Sequence, residues 1–262
     1  NQFKNYVKKA KEHIAKGDIF QVVLSQRFER KINKTPLEIY NHLRLSNPSP
    51  FMFYFNFEDF KIIGSSPEIL VRLRDNQITI RPIAGTRPRG STKAQDIKYA
   101  KELLKDKKEL AEHLMLLDLG RNDVGKVSEV NSVKVTESFT IEKYSHVMHI
   151  VSNVVGKFDN KNSIFETLLS GFPAGTVSGA PKIRAMEIID KLEKNKRKLY
   201  AGAIGYFTSE QEFDTCITLR TALIKDNKFY VQSGAGIVAD SVPEKEYQET
   251  VNKAKALMSA VD

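Results

Sequence analysis

Hydrophobic positions change period several times along the 262-residue chain. Phe3, Val7, Ala10 and Ile14 recur at helical spacing and stop before Gly17, which predicts a helix over 3–16. A Val/Leu/Phe-rich run over 19–28 reads as a strand. Thr35-Pro36 opens a helix to about Leu45, with Thr as cap and Pro where no N–H is needed. Pro48 and Pro50 then break the chain. Short extended runs separated by turn residues fill 51–81, a meander signature. The longest helical stretch is 94–117, and 130–155 is mostly extended. Helices over 164–169 and 181–192 flank a Gly/Pro-rich loop. Strands over 200–208, 213–224 and 229–233 precede a final helix over 243–260. Strands come in runs with long helices between them, so the expected class is α+β, antiparallel β-sheets covered by helices. No repeat, low-complexity tract or linker appears, so 1–262 reads as one catalytic-sized domain.

Composition narrows the function classes. The longest apolar run, 51–55, has five residues, whereas a membrane span needs roughly 20. The one cysteine, Cys216, excludes an internal disulfide and a cysteine-rich zinc site. No apolar signal segment opens the chain, so the expected compartment is the cytoplasm. The chain begins at Asn1 rather than Met and enters a helix at once, so an upstream part is expected to be missing. The net charge of +9 raises nucleic acid as a partner, but the excess lies in 1–16 and 191–198, without stacking aromatics. Solvated surface helices explain both runs better than a binding stripe.

Several constellations could carry chemistry. Glu109 and Glu112, and again Glu246 and Glu249, stand three apart on predicted helices, so each pair projects from one face. Two such pairs brought together would make an oxygen-ligand site for Mg²⁺; two solvated helix faces are the plain alternative. Phe172-Pro-Ala-Gly-Thr-Val-Ser-Gly-Ala-Pro leads into a helix start that suits a carboxylate or phosphate. Ser233-Gly-Ala-Gly-Ile reads as a loop after a strand, where backbone N–H groups could approach an anion. It lacks the glycine spacing of a dinucleotide fingerprint, and no Walker loop is present. His146 and His149 lack a third ligand for zinc; packed histidines or general acid–base work remain. Arg81-Pro-Ile-Ala-Gly-Thr-Arg-Pro-Arg-Gly suits carboxylate recognition or is merely a charged loop. Glu68 precedes an apolar strand, and burial there would raise its pKa and make it a proton donor.

In order, Gly17-Asp-Ile-Phe-Gln-Val-Val-Leu-Ser-Gln-Arg-Phe, Gly64-Ser-Ser-Pro-Glu, the Arg81 segment and Glu112-His-Leu-Met-Leu-Leu-Asp-Leu-Gly-Arg-Asn-Asp form a recognisable series. Tyr144-Ser-His-Val-Met-His, the Phe172 segment with Lys182, Tyr200-Ala-Gly-Ala-Ile-Gly-Tyr and Ser233-Gly-Ala-Gly-Ile-Val-Ala-Asp-Ser complete it. Together they resemble the chorismate-utilising enzymes, most closely the catalytic part of the anthranilate synthase component I branch, over nearly the whole chain. The resemblance implies Mg²⁺ on Glu112 and Glu249, with Glu109 and Glu246 acting through water or in support. It assigns Arg220 and Tyr200 to a substrate carboxylate, backbone N–H groups of Gly234, Ala235 and Gly236 to carboxylate oxygens, and Gly85, Thr86, Thr176 and Lys253 to further substrate contacts. Chorismate would be aminated at C2 by ammonia as its C4 hydroxyl leaves with a proton from Glu68. Pyruvate would then be eliminated with the help of His149, giving anthranilate.

Two positions separate branches of the family. Gln21 stands where water-using relatives carry lysine, and Ala84 where the usual aminodeoxychorismate synthases carry a nucleophilic lysine. Direct ammonia attack at C2 remains, together with a relative that stops at the aminated intermediate and, outside enzymology, an inactive chorismate- or partner-binding remnant. The resemblance further implies a glutamine amidotransferase subunit as ammonia source. It also implies one wall of a tryptophan site at Asn47, Pro48 and Met52, with Phe51 where Tyr is usual; tryptophan inhibition is expected to be lost in this chain.

Overall fold

The structure is a computed structural model and describes residues 2–144 and 147–261. His146 lies outside the described residues. The chain forms two compact units, Asn1–Glu68 with Pro173–Ile204 and Cys216–Asp262, and Ile69–Phe172 with Gly205–Thr215. The mixture of antiparallel sheets and helices expected from the sequence is present. Among the described residues no helix is long and apolar enough to cross a membrane.

The first unit is built on a six-stranded sheet. It comprises β1 (Gln21–Lys31), β2 (Phe51–Asn56), β3 (Lys61–Ser66), the short β9 (Gly179–Ala180), β12 (Thr221–Lys225) and β13 (Lys228–Ile237), in the order β2-β3-β12-β13-β1-β9. The helices α1 (Gln2–Ala15), α2 (Pro36–Ser46), α6 (Lys182–Leu192) and α7 (Pro243–Met258) belong to this unit. Phe3, Val7 and Ala10 of α1 are buried together with Val22 and Leu24 of β1 and Ile188 of α6. Ile39 and Leu43 of α2 and Leu257 of α7 pack with Phe229 and Val231 of β13. Each large apolar side chain removed from water contributes roughly 1.5–3 kcal/mol, so these faces hold the helices to the sheet. Thr35 caps α2 as its sequence predicts: Glu38 Oε2 accepts the Thr35 N–H at 2.8 Å, and Thr35 Oγ1 accepts the Glu38 N–H at 3.4 Å.

A second sheet runs β10 (Ala203–Phe207), β11 (Phe213–Ile217), β4 (Ile69–Arg74), β5 (Gln77–Ile80), β8 (Val147–Lys157), β6 (Ile83–Pro88), with β7 (Lys134–Lys143) also paired to β8. The helices α3 (Lys93–Leu103), α4 (Lys107–Gly125) and α5 (Ile164–Gly171) belong to the second unit.

Four expectations are corrected. The helix over 94–117 is two helices, because the first ends at Leu103 with Leu104 as its C-cap and Asp106 caps the second: its Oδ1 accepts the N–H of Lys108 at 3.1 Å and of Glu109 at 3.3 Å. The strand over 213–224 is two strands, β11 and β12, in different sheets; Arg220 between them has φ 44, outside the range a strand uses. The arginine-rich loop at 81–90 contains β6, which pairs with β8. Ser233-Gly-Ala-Gly is no loop but part of β13, since Gly234, Ala235 and Gly236 stand opposite Ser25, Leu24 and Val23 of β1. Asp106→Ala should lower stability by about 1–2 kcal/mol in urea denaturation; an unchanged midpoint would contradict the capping role.

Candidate functional site

In the first unit the β1–β13 ladder decides which backbone groups are available. In an antiparallel pair, a residue turns its N–H and C=O to the same strand edge, and successive residues alternate. Ser25 N–H donates to Glu193 Oε1 at 2.7 Å and Val23 N–H donates to the Ser178 carbonyl at 2.9 Å, so both point away from β13. Their partners Gly234 and Gly236 likewise point away from β1, and the Gly234 carbonyl accepts from Lys253 Nζ at 3.1 Å. Ala235, opposite Leu24, turns its N–H into the ladder. The expected trio of N–H groups is therefore narrowed to Gly234 and Gly236. Gly234 also has a steric reason to be glycine, because a Cβ there would lie 2.8 Å from both the Tyr200 hydroxyl and the Leu24 carbonyl oxygen.

Glu68 follows β3 and Pro67. Its carbonyl accepts the Ile217 N–H at 3.0 Å, and Ser66 Oγ donates to the Ile217 carbonyl at 2.7 Å, so the segment is fixed on both sides. Burial pushes the Glu68 carboxyl up to about 7, against the opposing pull of the Thr176 hydroxyl and of the charges on Lys253 and Arg220. Thr176 lies in a 3-10 turn, Gly175–Val177, and its Oγ1 is buried without a hydrogen bond of full geometry. Arg220 adopts a left-handed backbone conformation and Ala201, next to Tyr200, does too, with φ 65. Strain of this kind is held where surroundings over-determine it. The Arg220 carbonyl accepts the Ser65 N–H at 3.1 Å, and Ala201 N–H donates to the Thr218 carbonyl at 3.1 Å. Burial pushes the Tyr200 phenol up to about 12, so it is a hydroxyl donor at neutral pH.

On α7, Glu246 is buried and Glu249 is half-exposed, with Lys253 Nζ 2.6 Å from Glu249 Oε1. The structure thus brings Glu68, Thr176, Tyr200, Arg220, Gly234 and Lys253 into one neighbourhood of the first unit. Of Asn47, Pro48 and Met52, Asn47 caps α2 and its carbonyl accepts from Ser65 Oγ at 2.6 Å, and Met52 packs on the α2–α7 core.

In the second unit, Gly85 makes a bulge in β6, with the register against β8 shifting between Ala84 and Thr86. Its φ of +70 and a would-be Cβ contact of 3.2 Å with Glu109 Oε2 both favour glycine. The bulge turns the Gly85 carbonyl and Thr86 Oγ1 to His149 Nδ1, at 3.0 and 3.1 Å. A carbonyl only accepts, so Nδ1 carries the proton and Nε2 is the nitrogen that can take another. Arg87 donates to Asp106 Oδ2 at 2.7 Å and approaches Glu109 Oε1 at 3.4 Å, which orients that carboxylate. Glu112 precedes His113, which is fully buried and joined to Ser152 Oγ at 2.7 Å.

The two carboxylate pairs fit Mg²⁺ in chemistry: all donors are hard oxygens, and this ion keeps several waters while using one or two protein carboxylates. No group of three or more His, Cys, Asp or Glu side chains forms a ready-made metal cluster among the described residues. Glu249 and Glu109 already face cationic side chains, Lys253 and Arg87.

Sequence reasoning missed Glu193 and Arg197. The run 191–198 reads as solvated surface, yet the side chains of Glu193 and Arg197 are only 4% and 15% exposed and form a bidentate pair. Their i, i+4 spacing just before Tyr200 was the available signal. Cys216 is buried in β11, as a strand position predicts.

The substitution Thr176→Val removes the group that most lowers the Glu68 pKa. The Glu68 titration, followed by the ¹³C shift of its carboxyl carbon, should move upward from about 7. A downward move would contradict the arrangement.

Comparison with known proteins gives one consistent picture. The sequence pattern of the family described as chorismate binding enzyme matches residues 1–259. Anthranilate synthase component 1 of Cereibacter sphaeroides is 60% identical over 99% of this chain and 52% of its own length. That of Aquifex aeolicus is 56% identical over the whole of this chain and 53% of its own length. The chain therefore spans about half the length of the curated relatives it matches. Anthranilate synthase component I from Streptococcus pneumoniae superposes with a TM-score of 0.91 at 46% identity, covering 98% of this chain and 57% of that one. The menaquinone-specific isochorismate synthase of Escherichia coli gives 0.90 at 26% identity, covering all of this chain and 60% of that one. By the whole-chain match and the identities, this chain belongs to the chorismate binding enzyme family.

Proposed function

We propose that this chain is the chorismate-converting part of an anthranilate synthase component 1, a lyase that makes anthranilate and pyruvate. The observation that carries the reading is the buried Glu68 carboxyl, raised to about 7, beside Thr176 and within the field of Arg220 and Lys253. A dianionic substrate needs cations and N–H donors for its carboxylates and an acid for its leaving hydroxyl, and these residues are of those kinds. Arg220, Lys253, the Tyr200 hydroxyl and the Gly234 and Gly236 N–H groups receive carboxylate oxygens. Glu68 donates its proton to the departing C4 hydroxyl as ammonia forms a bond to C2. His149 takes a proton through Nε2 during loss of pyruvate, with Gly85 and Thr86 holding the opposite ring nitrogen.

Mg²⁺, when bound, supplies a hard positive charge for a substrate carboxylate. Two helices each offer it a carboxylate pair, Glu109 and Glu112 on α4 and Glu246 and Glu249 on α7. Gln21 and Ala84 supply no amine, which disfavours lysine-activated water and a lysine nucleophile. The designation component 1 implies a partner component for the relatives; in this reading that partner is a glutamine amidotransferase subunit that supplies the ammonia, and the compartment is the cytoplasm.

The test mixes the chain with chorismate, Mg²⁺ and ammonium salt and follows anthranilate fluorescence and pyruvate together. Both products should form, and Glu68→Gln should slow their formation by roughly 10²–10⁴-fold. An aminated product without pyruvate would move the assignment to a relative that stops early. Mg²⁺-independent turnover would overturn the metal role, and an unaffected Glu68→Gln variant would overturn the role of Glu68 as acid.

A further inference from the structure

Four of the five guanidinium N–H donors of Arg197 are engaged. Nε and Nη2 hold Glu193 at 3.0 and 2.5 Å, Nη2 also donates to the Val23 carbonyl at 2.6 Å, and Nη1 donates to the Val177 carbonyl at 2.6 Å. The guanidinium carbon also lies 5.4 Å from the centre of the Tyr200 ring, a cation–π distance. Glu193 is equally committed, accepting the Ser25 N–H at 2.7 Å and the Ser25 hydroxyl at 2.9 Å. One buried ion pair therefore ties together β1, the end of α6, the turn that carries Thr176 and the segment that carries Tyr200.

Stability alone explains this poorly, because well-packed apolar side chains replace buried ion pairs at little cost. The engaged fork leaves Arg197 little to offer a ligand. Its contacts fall instead on the immediate neighbours of Thr176 and on Tyr200, both assigned to the substrate. Val177 follows Thr176, and the Tyr200 N–H donates to the Arg197 carbonyl at 3.1 Å.

We propose that Arg197, held by Glu193, is a positioning residue that sets the Thr176 turn and the Tyr200 ring for a carboxylate-bearing substrate, an inference that rests on the proposed chorismate-converting function. Lysine keeps the charge but lacks the planar fork needed to reach Val23, Val177 and Glu193 at once.

The experiment uses the full chain with Arg197→Lys, Glu193→Gln and Tyr200→Phe, singly and in pairs. Without ligand, amide exchange over 174–178 and 199–202 should be faster in Arg197→Lys and Glu193→Gln, while α7 exchanges as in the parent. With Mg²⁺, chorismate affinity by calorimetry should fall roughly tenfold in Arg197→Lys, and by much less when Tyr200→Phe is already present. Normal chorismate binding by the parent with unaltered exchange in the two segments, or with fully additive losses, would overturn the inference alone. A parent that binds no chorismate would remove the proposed function and this inference with it.

Discussion

The first unit depends on the antiparallel pairing of β1 with β13, which joins residues more than 190 apart in sequence over a ten-residue register. The parity of that ladder does more than hold a sheet. It buries Leu24 and Ala235 in the α1–α6 core, and it turns the intervening backbone groups of Ser25, Val23 and Gly234 outward. A slip of one residue would exchange the two sets. Glu193 would lose its Ser25 donor and Lys253 would lose the Gly234 carbonyl. The polar groups this unit makes available are thus a consequence of register, because small residues at one strand edge keep their backbone groups outside the ladder.

Two kinds of buried charge share this frame. Glu193 is compensated by Arg197 and by both donors of Ser25, so it can serve as structure. Glu68 is under-compensated: burial outweighs the pull of Thr176, Lys253 and Arg220, and its carboxyl holds a proton near neutrality. In the second unit a related contrast appears between Asp106, fixed by Arg87 and by helix N–H groups, and Glu109, which touches Arg87 at longer range. One carboxylate builds the helix start and the next lies beside β6, at Gly85 and Arg87.

Much of this was legible in the chain. α1 and α2 follow from apolar spacing and from the Thr35-Pro36 helix start, and the α+β class follows from the order of elements. The break at Asp106 was hidden because apolar residues continue at helical spacing through Leu103 and Leu110, and only the side-chain cap separates the two helices. β6 was hidden by Gly85, Arg87 and Pro88 within it and Pro82 before it, while pairing with β8 supplies the stability that propensity does not. The glycines of 234–236 read as a loop, yet Gly234 relieves a crowded strand against Tyr200. Arg197 was lost in a run of surface charge because no local pattern announces that Val23 and Val177, distant in sequence, present their carbonyls to it.

The central claim is that Glu68 works as an acid, and the pH dependence of chorismate turnover at constant free-ammonia concentration tests it most directly. A raised pKa means the protonated form is present below about 7 and is lost as pH rises through that value. The account predicts a rate that falls above about pH 7, with this limb absent from the slow residual turnover of Glu68→Gln. A parent rate that stays level across this range, or the same falling limb in Glu68→Gln, would contradict it.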